Sequence, residues 1–277
     1  MKTAVCISGR LDAIWNFDNI KKHVLDPYAA DVFIDTWIPF EETSIQTGLS
    51  DADLVAAGVS VLEKPIPPKP DIQEFAQKYQ PKMMILDNFD AMPLTHQIRS
   101  LLPKNKKTIT GVSSEGTKTE NVMFMWYKLW KCNQLRRLYE ESNRIRYDRI
   151  IRLRFDSSFT SFPVIEPKHK TLYIPVGGDY DGGLNDQCAI ADSQTMDLYC
   201  EMYTEIYRYS YANIGIHPES MLRRHVEINR LAVERFECGL HLRGRWVSNK
   251  YNDLNAMTLM EEHSKKFLNP DNGTVVR

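Results

Sequence analysis

"TAVCISG", residues Thr3 to Gly9, is a short apolar and β-branched run that closes on glycine. This pattern predicts a buried strand that ends in a tight turn. Trp15 to Leu25, ending near Pro27, predicts a helix, and "ADVFIDTW" (Ala30 to Trp37) a second strand. Asp51 to Ala57 then predicts a short helix, and "VSVLEK" (Val59 to Lys64) a third strand. Alternation of strand and helix predicts a parallel sheet in an α/β protein.

Further along, "PIPPKP" (Pro65 to Pro70) excludes helix and central strand and reads as a surface loop. Asp71 to Tyr79 predicts a helix, and the polar stretch Pro103 to Asn121 a loop. Asn121 to Asn143 is the longest helical pattern. Val122, Met125, Trp126, Leu129, Trp130 and Leu135 form its apolar stripe, with Arg136, Arg137 and Glu140 outside. "RIIRLRFDSSF" (Arg149 to Phe159) predicts a strand. Ile151, Leu153 and Phe155 point to one face, Arg152, Arg154 and Asp156 to the other. A strand from Thr171, a Gly/Asp-rich loop and a short strand follow. Ser193 to Tyr209 predicts a helix capped by Asp192 or Ser193. "HPESMLRRHVEINRLA" starts another, and "CGLHLRG" (Cys238 to Gly244) reads as a last strand. The expectation is one α/β domain over residues 1–277, with a polar tail over 249–277.

Composition narrows the partners. The chain has 277 residues, with 35 basic against 36 acidic side chains and a net charge of -1. Bulk electrostatics therefore gives no reason to expect a nucleic acid or an anionic membrane. An anion has to be bound by a local cluster. The 5 cysteines are dispersed and form no CxxC pair, which favours a reducing compartment over a disulfide framework or zinc site. No apolar run reaches the ~18 residues a membrane span needs. The expected location is cytoplasmic.

Several constellations can carry chemistry. Ser8-Gly9-Arg10 follows the first strand, where α/β proteins bind ligands. Gly9 lets a ligand approach the backbone, Ser8 offers a hydroxyl and Arg10 can pair with a phosphate. A strand-to-helix turn needs a glycine in any case. The sequence is neither GxGxxG nor a P-loop, which excludes those two phosphate-binding motifs. Asp35 ends the second strand and suits a nucleobase or ribose contact, or a turn. Asp156 ends the charged strand, with Ser158 two residues on. A strand-end acid and a hydroxyl can coordinate a hard divalent cation. Arg152 and Arg154, about 6–7 Å apart along one face, can neutralise a diphosphate or brace acidic neighbours. "GGDYDGGLNDQ" (Gly177 to Gln187) must turn tightly or admit a ligand closely. It places Asn185, Asp186 and Gln187 at the mouth of a strand, an amide and carboxylate mixture suited to hydroxyl-rich ligands. Glu219, in the first turn of its helix, suits either the helix dipole or a general base. His241 is either a structural histidine or a metal ligand.

The order of these motifs resembles the nucleotide-sugar-dependent glycosyltransferases of the GT-A fold. The chain is also similar to small glycosyltransferase-like proteins of bacterial surface-polysaccharide loci, phages and large DNA viruses. "AVCISG", "DVFIDTW", "RLRFD", "NDQCAIADSQTMDLY" and "PESMLRRH" carry the likeness, which spans roughly residues 1 to 245. The resemblance implies a Rossmann-like, mostly parallel sheet flanked by helices. It implies a nucleotide-binding half over 1–120 and a donor-sugar and acceptor half over 121–248. It assigns nucleotide and donor contacts to Ser8, Gly9, Arg10, Asp35, Arg154, Asp156, Gly177, Gly178 and Asn185. Mn²⁺ or Mg²⁺ would sit on Asp156, Ser158 and His241, and Glu219 or Asp186 would act as base. One departure stands out, because the DxD position reads Asp156-Ser157-Ser158 and lacks its second acid.

The expected function is sugar transfer from a nucleotide-diphosphate sugar, UDP-sugars favoured, to a hydroxyl of a glycan or glycoconjugate. Two alternatives remain at this stage. One is a non-catalytic carbohydrate- or nucleotide-binding module of the same fold, and the other a sugar nucleotidyltransferase.

Overall fold

The computed structural model describes residues 1–10, 16–38, 72–88, 119–211 and 217–242. The first part of the expected alternation, strand, helix, strand, is present. Strand β1 (Thr3–Arg10) pairs in parallel with β2 (Asp31–Ile38) on one side. On its other side it pairs in parallel with β4 (Arg149–Arg154). Beyond β2 lies β3 (Met83–Asn88), also parallel. Past β4, β7 (Ala189–Ala191) runs antiparallel to β4 and to β6 (Thr171–Pro175). Strand β8 (Ala232–Phe236) pairs in parallel with β6 at the far edge. The order β3-β2-β1-β4-β7-β6-β8 makes a 7-stranded, mostly parallel sheet. Strand β5 (Ser157–Ser158) pairs separately with β9 (His241–Leu242).

Six helical segments flank the sheet. α1 is a continuous run of Phe17–Ile20, a π turn Lys21–Leu25 and Asp26–Tyr28. The widened turn comes just before Pro27, which has no N–H to give to an α-helical ladder. Ala29, in the left-handed region at φ 44, ends the run. The others are α2 (Ile72–Tyr79), α3 (Thr119–Asn143), α4 (Ser193–Cys200), α5 (Met202–Tyr211) and α6 (Pro218–Ile228). The Asp192 carboxylate caps α4, accepting the Thr195 N–H at 2.7 Å.

Strand alternation sorts the core into two layers. Val5, Ile7, Val32, Ile34, Ile151 and Leu153 pack against Phe17, Ile20, Val24 and Phe75 of α1 and α2. Ala4, Cys6, Phe33, Ile150, Leu172 and Ala189 pack against Trp126, Leu129, Tyr199 and Leu222 of α3, α4 and α6. The face assignment read from "RIIRLRFD" holds.

Some expectations need correction. The predicted third strand, Val59 to Lys64, lies outside the described residues, as do Asp51 to Ala57, the Pro65 to Pro70 loop and the tail from Asn249. A strand not read from the sequence, Met83–Asn88, sits beside β2. The single helix over Ser193 to Tyr209 is two, broken at Glu201. The last helix stops at Ile228, because Arg230 turns left-handed at φ 53 and "AVERF" becomes β8. Arg136 is not outside α3. It is fully buried and bonds to Asn133, Glu140, Ser193 and Asp197, tying α3 to α4. In the predicted final strand, only His241 and Leu242 of the described residues are extended pairs.

Candidate functional site

The order of the parallel strands reverses at β1, with β2 and β3 on one side and β4 on the other. In open α/β sheets, the crevice beyond the carboxyl ends at such a switch point is where ligands bind. The register brings three separately encoded segments to that edge. Ser8 stands opposite Asp35 of β2 and opposite Arg154 of β4, forming one row across three strands. Gly9 has φ 127, and a β-carbon there would meet nothing within 4 Å. Conformation, not crowding, asks for glycine. The Thr36 hydroxyl donates to the Gly9 carbonyl at 2.7 Å and ties the end of β1 to β2. Arg10 is the last residue of β1, in register with Trp37.

Asp156 follows β4 in a turn. Arg154 grips it with two parallel bonds, Nε at 2.8 Å and Nη2 at 2.7 Å. Both side chains stay partly open, Arg154 at 29% and Asp156 at 17%. Planar, bidentate Arg–carboxylate pairs are among the stronger charge-assisted bonds. Ser158 and His241 are direct partners across β5 and β9. The predicted ligand positions therefore converge, but they fit a hard cation poorly. Mg²⁺ and Mn²⁺ prefer several oxygens, carboxylates first. Here the single carboxylate already has both oxygens on a guanidinium. Among the described residues no group of three His, Cys, Asp or Glu is placed to hold a metal.

The Gly/Asp loop is a braced structure. Gly177 and Gly178 adopt φ 83 and φ 69. Asn185 Nδ2 donates to the Gly177 carbonyl at 2.7 Å, and the Asn185 N–H donates to Asp179 at 2.8 Å. Asp179 also pairs with Arg235 at 2.5 Å. A β-carbon on Gly178 would lie 2.7 Å from Asn185 Nδ2. Asn185 is 3% exposed, so its amide holds the loop together instead of facing the crevice.

Glu219 lies against this loop. A β-carbon on Gly183 would sit 2.2 Å from the Glu219 carbonyl carbon, and the Leu184 N–H donates to the Glu219 carbonyl at 3.0 Å. The Glu219 carboxylate is 3.3 Å from His217 Nδ1. Asp186 is buried at 4%, and its carbonyl accepts from Arg152 Nη1. The Asp186 carboxylate forms no hydrogen bond or ion pair among the described residues. Arg152 is itself buried under α4 and is not a counter-charge at the crevice.

Asp35 departs from its expected role. It is fully buried and pairs with Lys128 of α3 at 2.5 Å, so it meets a cation under the helix and no ribose can reach it in this arrangement. Lys128 also donates to the Thr36 carbonyl at 3.0 Å and to Asp87, which Lys131 contacts at 2.8 Å. Burial pushes the Asp35 carboxyl up to about 6 against the pull of Lys128. Burial also acts to raise Asp87, but Lys128 and Lys131 outweigh it and hold that carboxyl low. Sequence reasoning missed this lysine pair. The available signal was a lysine standing among Met125, Leu129 and Cys132 on the apolar side of the helix.

The fold defines the class only coarsely, as a mixed α/β protein with a 7-stranded, mostly parallel sheet whose strand order reverses at β1. No family model and no curated protein sequence matches the chain. No described helix is long and apolar enough to cross a membrane.

Proposed function

We propose that this chain is a GT-A-like glycosyltransferase that moves a sugar from a nucleotide-diphosphate sugar, UDP-sugars favoured, to a hydroxyl of a glycan or glycoconjugate. The observation that carries this reading is the meeting of Ser8 and Arg154 in one row at the switch point, with Asp156 forked onto Arg154. Gly9, near the end of β1, lets a diphosphate approach the backbone, and Arg154 supplies preorganised positive charge for the leaving group. The Gly177-Gly178 turn borders the sugar. Glu219 accepts the proton of the acceptor hydroxyl as its oxygen bonds to the anomeric carbon. The bond from that carbon to the diphosphate oxygen breaks, and the nucleotide diphosphate leaves with the electron pair. His217 Nδ1, 3.3 Å away, would orient the Glu219 carboxylate. Asp186 contacts the donor sugar and is the other candidate base.

Mn²⁺ or Mg²⁺ would add Lewis-acid charge at the diphosphate, but Asp156 would have to leave Arg154 to hold it. The roles above belong to side chains alone. The test is nucleotide release from a panel of nucleotide sugars. Wild-type protein should release nucleotide, and Asp156→Ala should lose about 100-fold or more of that rate. Failure of calorimetry to detect any nucleotide sugar would sink the reading. Pyrophosphate formed from a nucleoside triphosphate and a sugar phosphate would point to a nucleotidyltransferase instead. The same fork favours one second reading, a non-catalytic binding module, since it leaves Asp156 neutralised. Binding without nucleotide release would identify that case.

A further inference from the structure

Tyr180 sits at the tip of the Gly/Asp loop and is 62% exposed. Among residues whose side chains are described, it is the one aromatic ring in the exposed class. The remaining described rings are buried or partly covered. Val176, at the foot of the same loop, is also half-exposed at 50%. A single exposed aromatic is ordinary on a floppy loop. This one is not on a floppy loop. Tyr180 begins a 3-10 turn, Tyr180–Gly182, and its carbonyl accepts the Gly183 N–H at 2.8 Å. The preceding residue, Asp179, is pinned by Arg235 and by the Asn185 N–H. The following residue, Gly183, is wedged against Glu219, and the Arg223 guanidinium donates to the Gly183 carbonyl at 3.3 Å.

The turn leaves the carboxyl end of β6, which runs in the same direction as β1 and β4. A wet ring is thus carried on a braced turn at the carboxyl end of the sheet, one packed contact from the candidate base. We infer that Tyr180 is the stacking platform for the acceptor sugar. This rests on the transferase reading of the same site. One face of a pyranose presents C–H groups, which pack on an aromatic face, while its hydroxyls need polar partners at the rim. The Asp179–Arg235 pair, with side chains 38% and 28% exposed, stands beside the ring to supply them. A backbone turn already braced loses little conformational entropy on binding, so the contact area of the ring it carries counts toward affinity.

The experiment is steady-state kinetics on Tyr180→Ala, Tyr180→Phe and Tyr180→Trp. The acceptor probes are the methyl glycosides of glucose, galactose, mannose and N-acetylglucosamine. Tyr180→Ala should raise KM for the acceptor about tenfold, with KM for the nucleotide sugar unmoved. Tyr180→Phe and Tyr180→Trp should hold the acceptor KM near wild type, since a ring and not a hydroxyl is required. The exposed position predicts an unchanged melting midpoint for all three, which separates this effect from misfolding. If wild type transfers sugar and Tyr180→Ala keeps its acceptor KM, the platform is overturned and the transferase reading stands. If wild type binds no nucleotide sugar, both fall. Nucleotide release with transfer to none of the probes also overturns the platform.

Discussion

The two faces of the same parallel strands differ sharply. Toward α1 and α2, the alternating positions are Val5, Ile7, Val32, Ile34, Ile151 and Leu153, an unbroken apolar layer. Toward α3, the intervening positions begin apolar with Ala4, Cys6, Phe33 and Ile150, then turn polar at Ser8, Asp35, Arg152 and Arg154. The polarity rises toward the carboxyl edge, where a ligand is expected. One face is therefore a scaffold. The other carries costly buried polar groups that hydrophobic burial alone does not explain.

Substitutions can break this comparison. Lys128→Met leaves Asp35 and Asp87 facing each other without their shared cation and should cost about 3–5 kcal/mol at pH 8, measured by chemical denaturation. The loss should shrink as pH falls. Burial raises the Asp35 carboxyl to about 6 while Lys128 pulls it down, so without Lys128 it rises further. The folded variant then binds a proton that the unfolded chain does not, and its penalty is full at high pH and relieved as pH falls through that raised value. Leu153→Ala, on the scaffold face, should cost about 2–5 kcal/mol with no such pH dependence. Equal pH profiles for the two variants would erase the distinction between the faces.

A smaller effect comes from His225, buried in α6 between the Tyr209 hydroxyl at 2.7 Å and the Leu198 carbonyl at 2.6 Å. Burial holds its pKa below the usual 6.5 despite the Leu198 carbonyl. The unfolded chain then binds the extra proton, so this contribution is complete above 6.5 and is lost as pH falls through the folded value. Relative to His225→Phe, wild type should therefore lose stability between pH 7.5 and pH 5.5. A variant curve parallel to wild type would contradict the assignment.

Much of the sheet was legible because β1, β2 and β4 are short apolar runs rich in β-branched residues, too short for helices and buried on both faces. β8 was not legible. Its residues Glu234 and Arg235 are exposed on an edge, so no apolar stripe marks it and the preceding helix pattern runs into it. β3 was missed because "MMIL" is too short to separate from a buried helix segment. At the site, Ser8, Gly9 and Asp156 announced themselves as strand-end residues. Asp35 was read as ending its strand, but it lies inside β2, which runs on to Ile38, and its partner Lys128 is 93 positions away with no local pattern to link them. The Arg154–Asp156 fork was foreseeable in kind, since residues i and i+2 share a strand face. Whether such a pair braces or waits for a ligand depends on rotamers that sequence does not encode.

Calorimetric titration of UDP into wild-type protein and into Arg154→Ala tests the central claim most directly. A nucleotide diphosphate site at the β1/β4 switch point predicts saturable binding by wild type and about tenfold or greater weakening in the variant. Undiminished binding by Arg154→Ala, or no binding of UDP or any UDP-sugar by wild type, would contradict it.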